Sequence, residues 1–137
     1  MSAENAERLR RAYAMFNSQG SLDWDLLDPA IQHDQTEGLF LDGVFYGQEG
    51  IRAALTEIQS DWEELQLEPE DVIDLGDRLL VLVRMKARVR DSEAEIDAQI
   101  AHVWEFRGGR AVRWSVYGDR AAAVRAVSAA GPFGTVH

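Results

Sequence analysis

Cysteine is absent from all 137 residues. That excludes a disulfide framework, a thiolate metal site and a cysteine nucleophile. Long apolar runs are missing as well: no stretch approaches the roughly 20 apolar residues a membrane span requires. The opening MSAENAERLRRAYAMFNSQG carries charge throughout and holds no apolar core of the kind a signal peptide needs. A cytoplasmic protein is the expectation. Basic residues are in short supply, 14 Lys and Arg against 24 Asp and Glu, for a formal net charge of −10. A field of that sign repels phosphate backbones and anionic head groups, so neither nucleic acid nor membrane is an expected partner.

What is present is enough for one core: 46% of the residues are hydrophobic and four are Trp. The expectation is a single domain over residues 1–137, with no internal repeat or linker. Ala6, Leu9, Ala12, Tyr13 and Phe16 recur at helical spacing up to Gly20. Ser21 and Asp23 then read as caps of a short second helix holding Trp24, Leu26 and Leu27 and ended by Pro29, with a strand over Ile31–Thr36 behind it. The segment EGLFLDGVFYG at 37–47 reads as an apolar covering loop. Ile51, Ala54, Leu55, Ile58 and Trp62 mark a third helix from about Gln48 to Glu63.

From Leu65 the period changes to two. Strands over Leu65–Leu75, Arg78–Arg90, Glu95–Arg107 and Arg110–Tyr117 make an antiparallel meander, followed by a last helix from Arg120 to about Ala129, capped by Asp119. Pairing Arg90 with Glu95 sets Arg88 against Asp97 on a charged outer face. On the inner face it sets Ala87 against Ala98, Met85 against Ile100, Val83 against His102 and Val81 against Trp104. Gly108 and Gly109 turn the chain again, and Val112, Trp114 and Val116 continue the inner face.

Three polar side chains fall where sheet and helix converge: Tyr13, Asp34 and His102. A buried polar group costs free energy unless it is paired, so each needs a reason. The structural alternatives are a core tyrosine with a satisfied hydroxyl, an aspartate bonding loop amides and a buried histidine bridging elements. His33 is expected to point opposite to Asp34, toward the surface. A two-histidine carboxylate metal site would need His33 turned inward against that parity, and no His-Glu-x-x-His motif exists, so no metal is expected.

The order of elements resembles the ketosteroid isomerase and SnoaL-like branch of the NTF2-like superfamily, an α+β cone in which a curved sheet wraps a long N-terminal helix. AYAMFNSQG is similar to the first helix of that family, IQHDQTEG and YGQEGIRAAL to the segment carrying its general base, and AHVWEFRGGRAVRW to the strand pair carrying a second oxyanion donor. The resemblance implies Asp34 as base with Tyr13 and His102 as donors, removing a proton beside a carbonyl without a cofactor. A histidine where the isomerases place an acid points away from steroid isomerisation and toward polyketide-cyclase-like aldol closure. Phe16, Trp24, Phe40, Tyr46, Trp62, Met85, Trp104 and Trp114 are the expected lining of the pocket.

The ligand implied is a small apolar or polycyclic molecule bearing a carbonyl. A non-catalytic ligand-binding or dimerisation module is the main alternative, since one fold hosts many functions. An epoxide-hydrolase-like activity is a third reading. It resembles an Asp-Arg-Asp arrangement, for which the assigned inner face from Val81 to Val116 supplies no Arg or Asp. The family resemblance also implies a homodimer through the outer face of the sheet, where Arg84, Lys86, Arg88 and Arg90 meet Glu95, Asp97 and Glu105.

Overall fold

A computed structural model describes residues 2–39 and 41–130. Helix α1 (Ser2–Gln19) buries Leu9 and Tyr13 on one stripe and stops at Gly20, whose φ of +71° suits glycine. The second helix is much shorter than the sequence predicts. Only Trp24–Leu26 form a 3-10 turn, Asp23 makes no side-chain cap bond, and Leu27 already opens strand β1 (Leu27–Glu37). Pro29 therefore lies inside a strand. It is tolerated because pairing with the neighbouring strand is irregular between Leu27 and Gln32, where Asp28 bonds the Ala30 amide at 2.9 Å.

Part of the expected covering loop forms a short edge strand, β2 (Val44–Tyr46), and helix α2 (Gly47–Asp61) follows. Trp62 does not extend that helix. Its backbone turns extended and it becomes the first residue of β3 (Trp62–Asp74), which leads into β4 (Arg78–Val89), β5 (Glu95–Arg107), β6 (Arg110–Tyr117) and helix α3 (Arg120–Ala130). Asp119 accepts the Ala121 amide at 3.0 Å at the start of α3. The predicted Gly-Pro-Phe-Gly tail lies outside the described residues.

The six strands form one curved, unclosed sheet in the order β2-β1-β6-β5-β4-β3. The meander β3 to β6 is antiparallel as expected, while β1 joins it parallel to β6. The central hairpin is shifted by two residues from the sequence-based pairing: Arg88 opposes Glu95, Val83 opposes Ile100 and Val81 opposes His102. The cause is Arg90, whose backbone N–H bonds the Asp61 carbonyl at 2.9 Å and whose guanidinium reaches the Gln59 carbonyl at 2.8 Å. Arg90 is thus held at the α2–β3 corner and leaves the ladder. A two-residue shift preserves both faces, because side chains alternate with period two. On β6, a pairing irregularity after Glu105 places Ala111 opposite Phe106 in the core cluster in the place expected for Val112.

The main core lies between α1, α2 and the concave face, with Leu9, Ile31, Ile51, Val81 and Val83 fully enclosed. Each contributes roughly 1.5–3 kcal/mol by burial. A second cluster, Leu80, Ala101, Val103, Ala123 and Val127, sits under α3 on the opposite face. Arg120 anchors that helix by donating to the Ile100 and Val83 carbonyls, both at 3.0 Å, and to Glu70. Among the described residues, no helix is long and apolar enough to cross a membrane.

Candidate functional site

The concave face encloses a cavity of about 90 Å³ whose lining is almost entirely apolar. Its polar groups come from four positions: Tyr13 on α1, His33 and Gln35 on β1, and His102 on β5. The Tyr13 hydroxyl lies 2.6 Å from His102 Nδ1 and accepts the Trp104 indole N–H at 3.0 Å. With Trp104 donating to the phenol oxygen, the one proton of the hydroxyl goes to Nδ1, which leaves the His102 proton on Nε2. No protein group among the described residues accepts that Nε2–H.

His33 is wired the other way round. Its Nδ1 faces the Trp114 carbonyl at 3.1 Å, an atom that only accepts, so Nδ1 carries the proton and Nε2 receives the Gln35 amide at 2.9 Å. Both rings are neutral near physiological pH. Burial, and to a lesser degree the neighbouring His33, push His102 down to about 3. Burial pushes His33 down to about 4, against the opposing pull of the Trp114 carbonyl and the Asp34 charge. Burial raises the Tyr13 hydroxyl well above its ordinary value, outweighing the Trp104 bond, so the phenol stays protonated.

Tryptophans build the floor. Trp104 and Trp114 stack with ring centroids 4.6 Å apart, and His33 lies 4.0 Å from Trp114 on centroids. The Trp114 indole N–H is buried and has no partner among the described residues. Such an orphan donor costs about 1–3 kcal/mol.

Tyr13 and His102 are brought together as the sequence predicts; Asp34 is not brought to them. It lies on the other face of β1, where it accepts the Thr36 amide at 2.9 Å, the Thr36 hydroxyl at 2.6 Å and the Arg113 guanidinium at 2.7 Å. Partial burial raises its carboxyl, but the Thr36 bonds and then Arg113 hold it below the usual carboxylate range. The parity of β1 is the reverse of the expectation: Ile31, His33 and Gln35 are buried, while Gln32, Asp34 and Thr36 share the outer side. Ile31 was the available signal, because a fully apolar side chain two positions before His33 puts both on the core face.

Of the predicted lining, Phe16, Trp62, Met85, Trp104 and Trp114 face the cavity. Trp24 does not; it packs beside the core, with the Arg52 guanidinium 4.0 Å over its ring. Tyr46 is 66% exposed on the edge strand, and Phe40 lies outside the described residues. Sequence reasoning missed His33, Gln35, Leu39, Leu41, Ile100 and Val116 as lining. On the outer face Arg84 grips Asp97 through two bonds at 2.9 and 2.7 Å, and Arg88 pairs with Glu63 and Glu64 in place of the expected Asp97.

The fold and its enclosed, polar-tipped cavity define the class: an NTF2-like cone built around a small interior space. The SnoaL-like domain profile matches residues 7–114, and the chain belongs to that family. Among curated proteins, none matches the chain. Solved structures do. An NTF2-like protein of unknown function from Burkholderia pseudomallei is 24% identical, with a TM-score of 0.73 over 88% of this chain and 95% of that one. TerC, co-crystallized with polyporic acid, is 22% identical with a TM-score of 0.71 over 88% and 95%. A putative SnoaL-like polyketide cyclase from Jannaschia is 17% identical with a TM-score of 0.71 over 93% and 94%. At these identities the likeness concerns the fold.

Proposed function

We propose that this SnoaL-like chain binds a small, mainly apolar molecule carrying a carbonyl-type oxygen, and that His102 Nε2–H is the donor that holds and polarises that oxygen. The observation that carries the reading is the 2.6 Å contact between the Tyr13 hydroxyl and His102 Nδ1, which directs the remaining imidazole proton away from the protein. A neutral donor in apolar surroundings favours a neutral acceptor, because no charge has to be desolvated on either side. The net charge of −10 works against anionic ligands in the same direction.

The binding reading is preferred to proton abstraction by Asp34. A general base must come within hydrogen-bond reach of the proton it takes, and Asp34 is engaged with Thr36 and Arg113 on the opposite face. The basic nitrogens inside are engaged as well: His102 Nδ1 by Tyr13 and His33 Nε2 by Gln35. The epoxide-hydrolase reading finds no support either, because no Arg or Asp is among the described residues lining the cavity.

The test is an NMR titration with a short neutral methyl ketone, reading the Trp104 indole N–H, which bonds Tyr13. The expected result is saturable shifts that vanish in His102→Phe and persist in Asp34→Asn. Saturable binding that survives in His102→Phe would overturn the assignment.

A further inference from the structure

Beyond the inner cavity the structure holds a second, larger cleft of about 280 Å³, bounded by the last turn of α1, the second half of α2 and the start of β3. The two spaces share five lining residues, Phe16, Leu55, Ile58, Trp62 and Leu65. They therefore meet at one apolar neck. The residues that line only the outer cleft are of another kind: Asn17, Gly20, Gln59, Glu63, Glu64 and Gln66. Polarity thus changes along one path, from a dry inner end with His102 and Tyr13, through the neck, to a rim that offers hydrogen bonds.

The charge on that rim has a sign. Glu63 and Glu64 both pair with Arg88, at 3.4 and 2.9 Å, so two carboxylates share one guanidinium. One negative charge is left over. Asn17 is spent elsewhere, donating to the Leu67 carbonyl at 2.9 Å and accepting the Leu67 amide at 2.8 Å, which latches α1 to the edge strand β3. Gln59 and Gln66, both exposed, are the rim amides beside this opening.

We infer that the ligand is elongated and amphipathic, with a small ketone-like head in the inner cavity, an apolar stem through the Phe16–Leu55–Ile58–Trp62–Leu65 neck, and an uncharged or cationic polar tail in the outer cleft. The inference rests on the carbonyl-binding reading above and adds a second subsite with its own preference. A tail ending in carboxylate or phosphate is disfavoured, because it would meet the uncompensated charge of the Glu63–Glu64 pair. A compact ligand leaves the outer cleft to water and forgoes the apolar contact of the neck.

The experiment compares a short methyl ketone with the same head extended by a medium-length alkyl chain ending in hydroxyl, ammonium or carboxylate, all titrated against the full chain. The hydroxyl- and ammonium-ended ketones are expected to bind at least about tenfold tighter than the short one, and the carboxylate-ended ketone to lose most of that gain. Gln59→Lys combined with Gln66→Lys, at two exposed positions, is expected to reverse the order of the charged tails and leave the short ketone unchanged. Ile58→Trp, which narrows the neck, is expected to remove the gain from extension while the short ketone still binds. If the short ketone binds and extension brings no gain, or the lysine pair leaves the tail order unchanged, the second subsite is overturned and the head site stands. If no ketone of any length binds, both readings fall.

Discussion

The Tyr13 hydroxyl meets His102 Nδ1 at 2.6 Å across a sequence separation of 89 residues, and Trp104 donates to the same oxygen from the neighbouring face position on β5. One phenol therefore satisfies two other buried side chains. Replacing Tyr13 with Phe removes an acceptor from the Trp104 indole and a donor from His102, at about 1–3 kcal/mol for each group left without a partner. The expected outcome is a clear fall in urea midpoint together with loss of ketone binding, since the His102 proton is no longer held on Nε2. A Tyr13→Phe variant with unchanged midpoint would mean the network is not closed as described.

The two tryptophans that stack at 4.6 Å make a matched pair for a second test, because Trp104 is 5% exposed and Trp114 7%. Their indole nitrogens differ: one donates to Tyr13 and the other is an orphan. Phe in place of Trp104 loses volume and a hydrogen bond, whereas Phe in place of Trp114 loses volume and relieves an unpaired donor. Trp104→Phe is expected to be the more destabilising by about 1–3 kcal/mol, measured by equilibrium denaturation of the two variants side by side.

Asp34 carries a role outside the cavity. Its ion pair with Arg113 is partly solvent-exposed, with side-chain exposures of 18% and 38%, and pairs of that kind contribute about 0–1 kcal/mol. Asp34→Asn keeps the Thr36 contacts within reach of an oxygen. Ketone affinity in that variant should stay within about twofold of the parent, and a tenfold loss would return Asp34 to the site.

Stability should depend on pH through the cavity histidines. Both have folded values, about 3 for His102 and about 4 for His33, below the ordinary 6.5. The unfolded chain therefore takes up protons that the native state refuses. The stability gained by keeping these rings neutral is complete above about pH 6.5 and is lost as the pH falls toward 4, at up to about 1.4 kcal/mol per pH unit for each ring. Asp34, held low, adds stability that is present above the ordinary carboxylate range and lost below it. Urea midpoints taken between about pH 7 and pH 5 should fall steadily in the parent and less in His102→Gln; a flat profile in the parent would contradict the buried neutral pair.

Much of the fold was legible because periodicity carries it. The apolar stripe from Leu9 to Phe16 and the alternation along β4 and β5 name the buried face without reference to anything distant. They do not say which residues stand opposite. Arg90 shows why: the sequence-based pairing put it across from Glu95, and the Asp61 and Gln59 carbonyls, contributed by a preceding helix, removed it from the ladder. The result is a shift of two residues that alternation cannot detect.

The site divides along the same line. Tyr13 and His102 each sit on a face whose neighbours are apolar, so their inward direction follows from local pattern. Strand β1 offers Gln32, His33, Asp34 and Gln35 in succession, and four polar side chains in a row have no periodic contrast. Only Ile31 breaks the tie, and Trp62 was likewise assigned to a helix because its spacing from Ile58 suits one.

The amino-acid sequence by itself determined the element types, the two faces of the meander and the inward aim of the phenol and one imidazole, since those depend on neighbours within a turn or a strand. The tertiary structure alone decided that His33 and not Asp34 enters the cavity, that Tyr13 hands its proton to His102, and that an inner space and an outer cleft share one neck. Each of these is set by which distant groups compete for the same hydrogen-bonding atoms and the same volume, and that competition exists only once the chain has closed on itself.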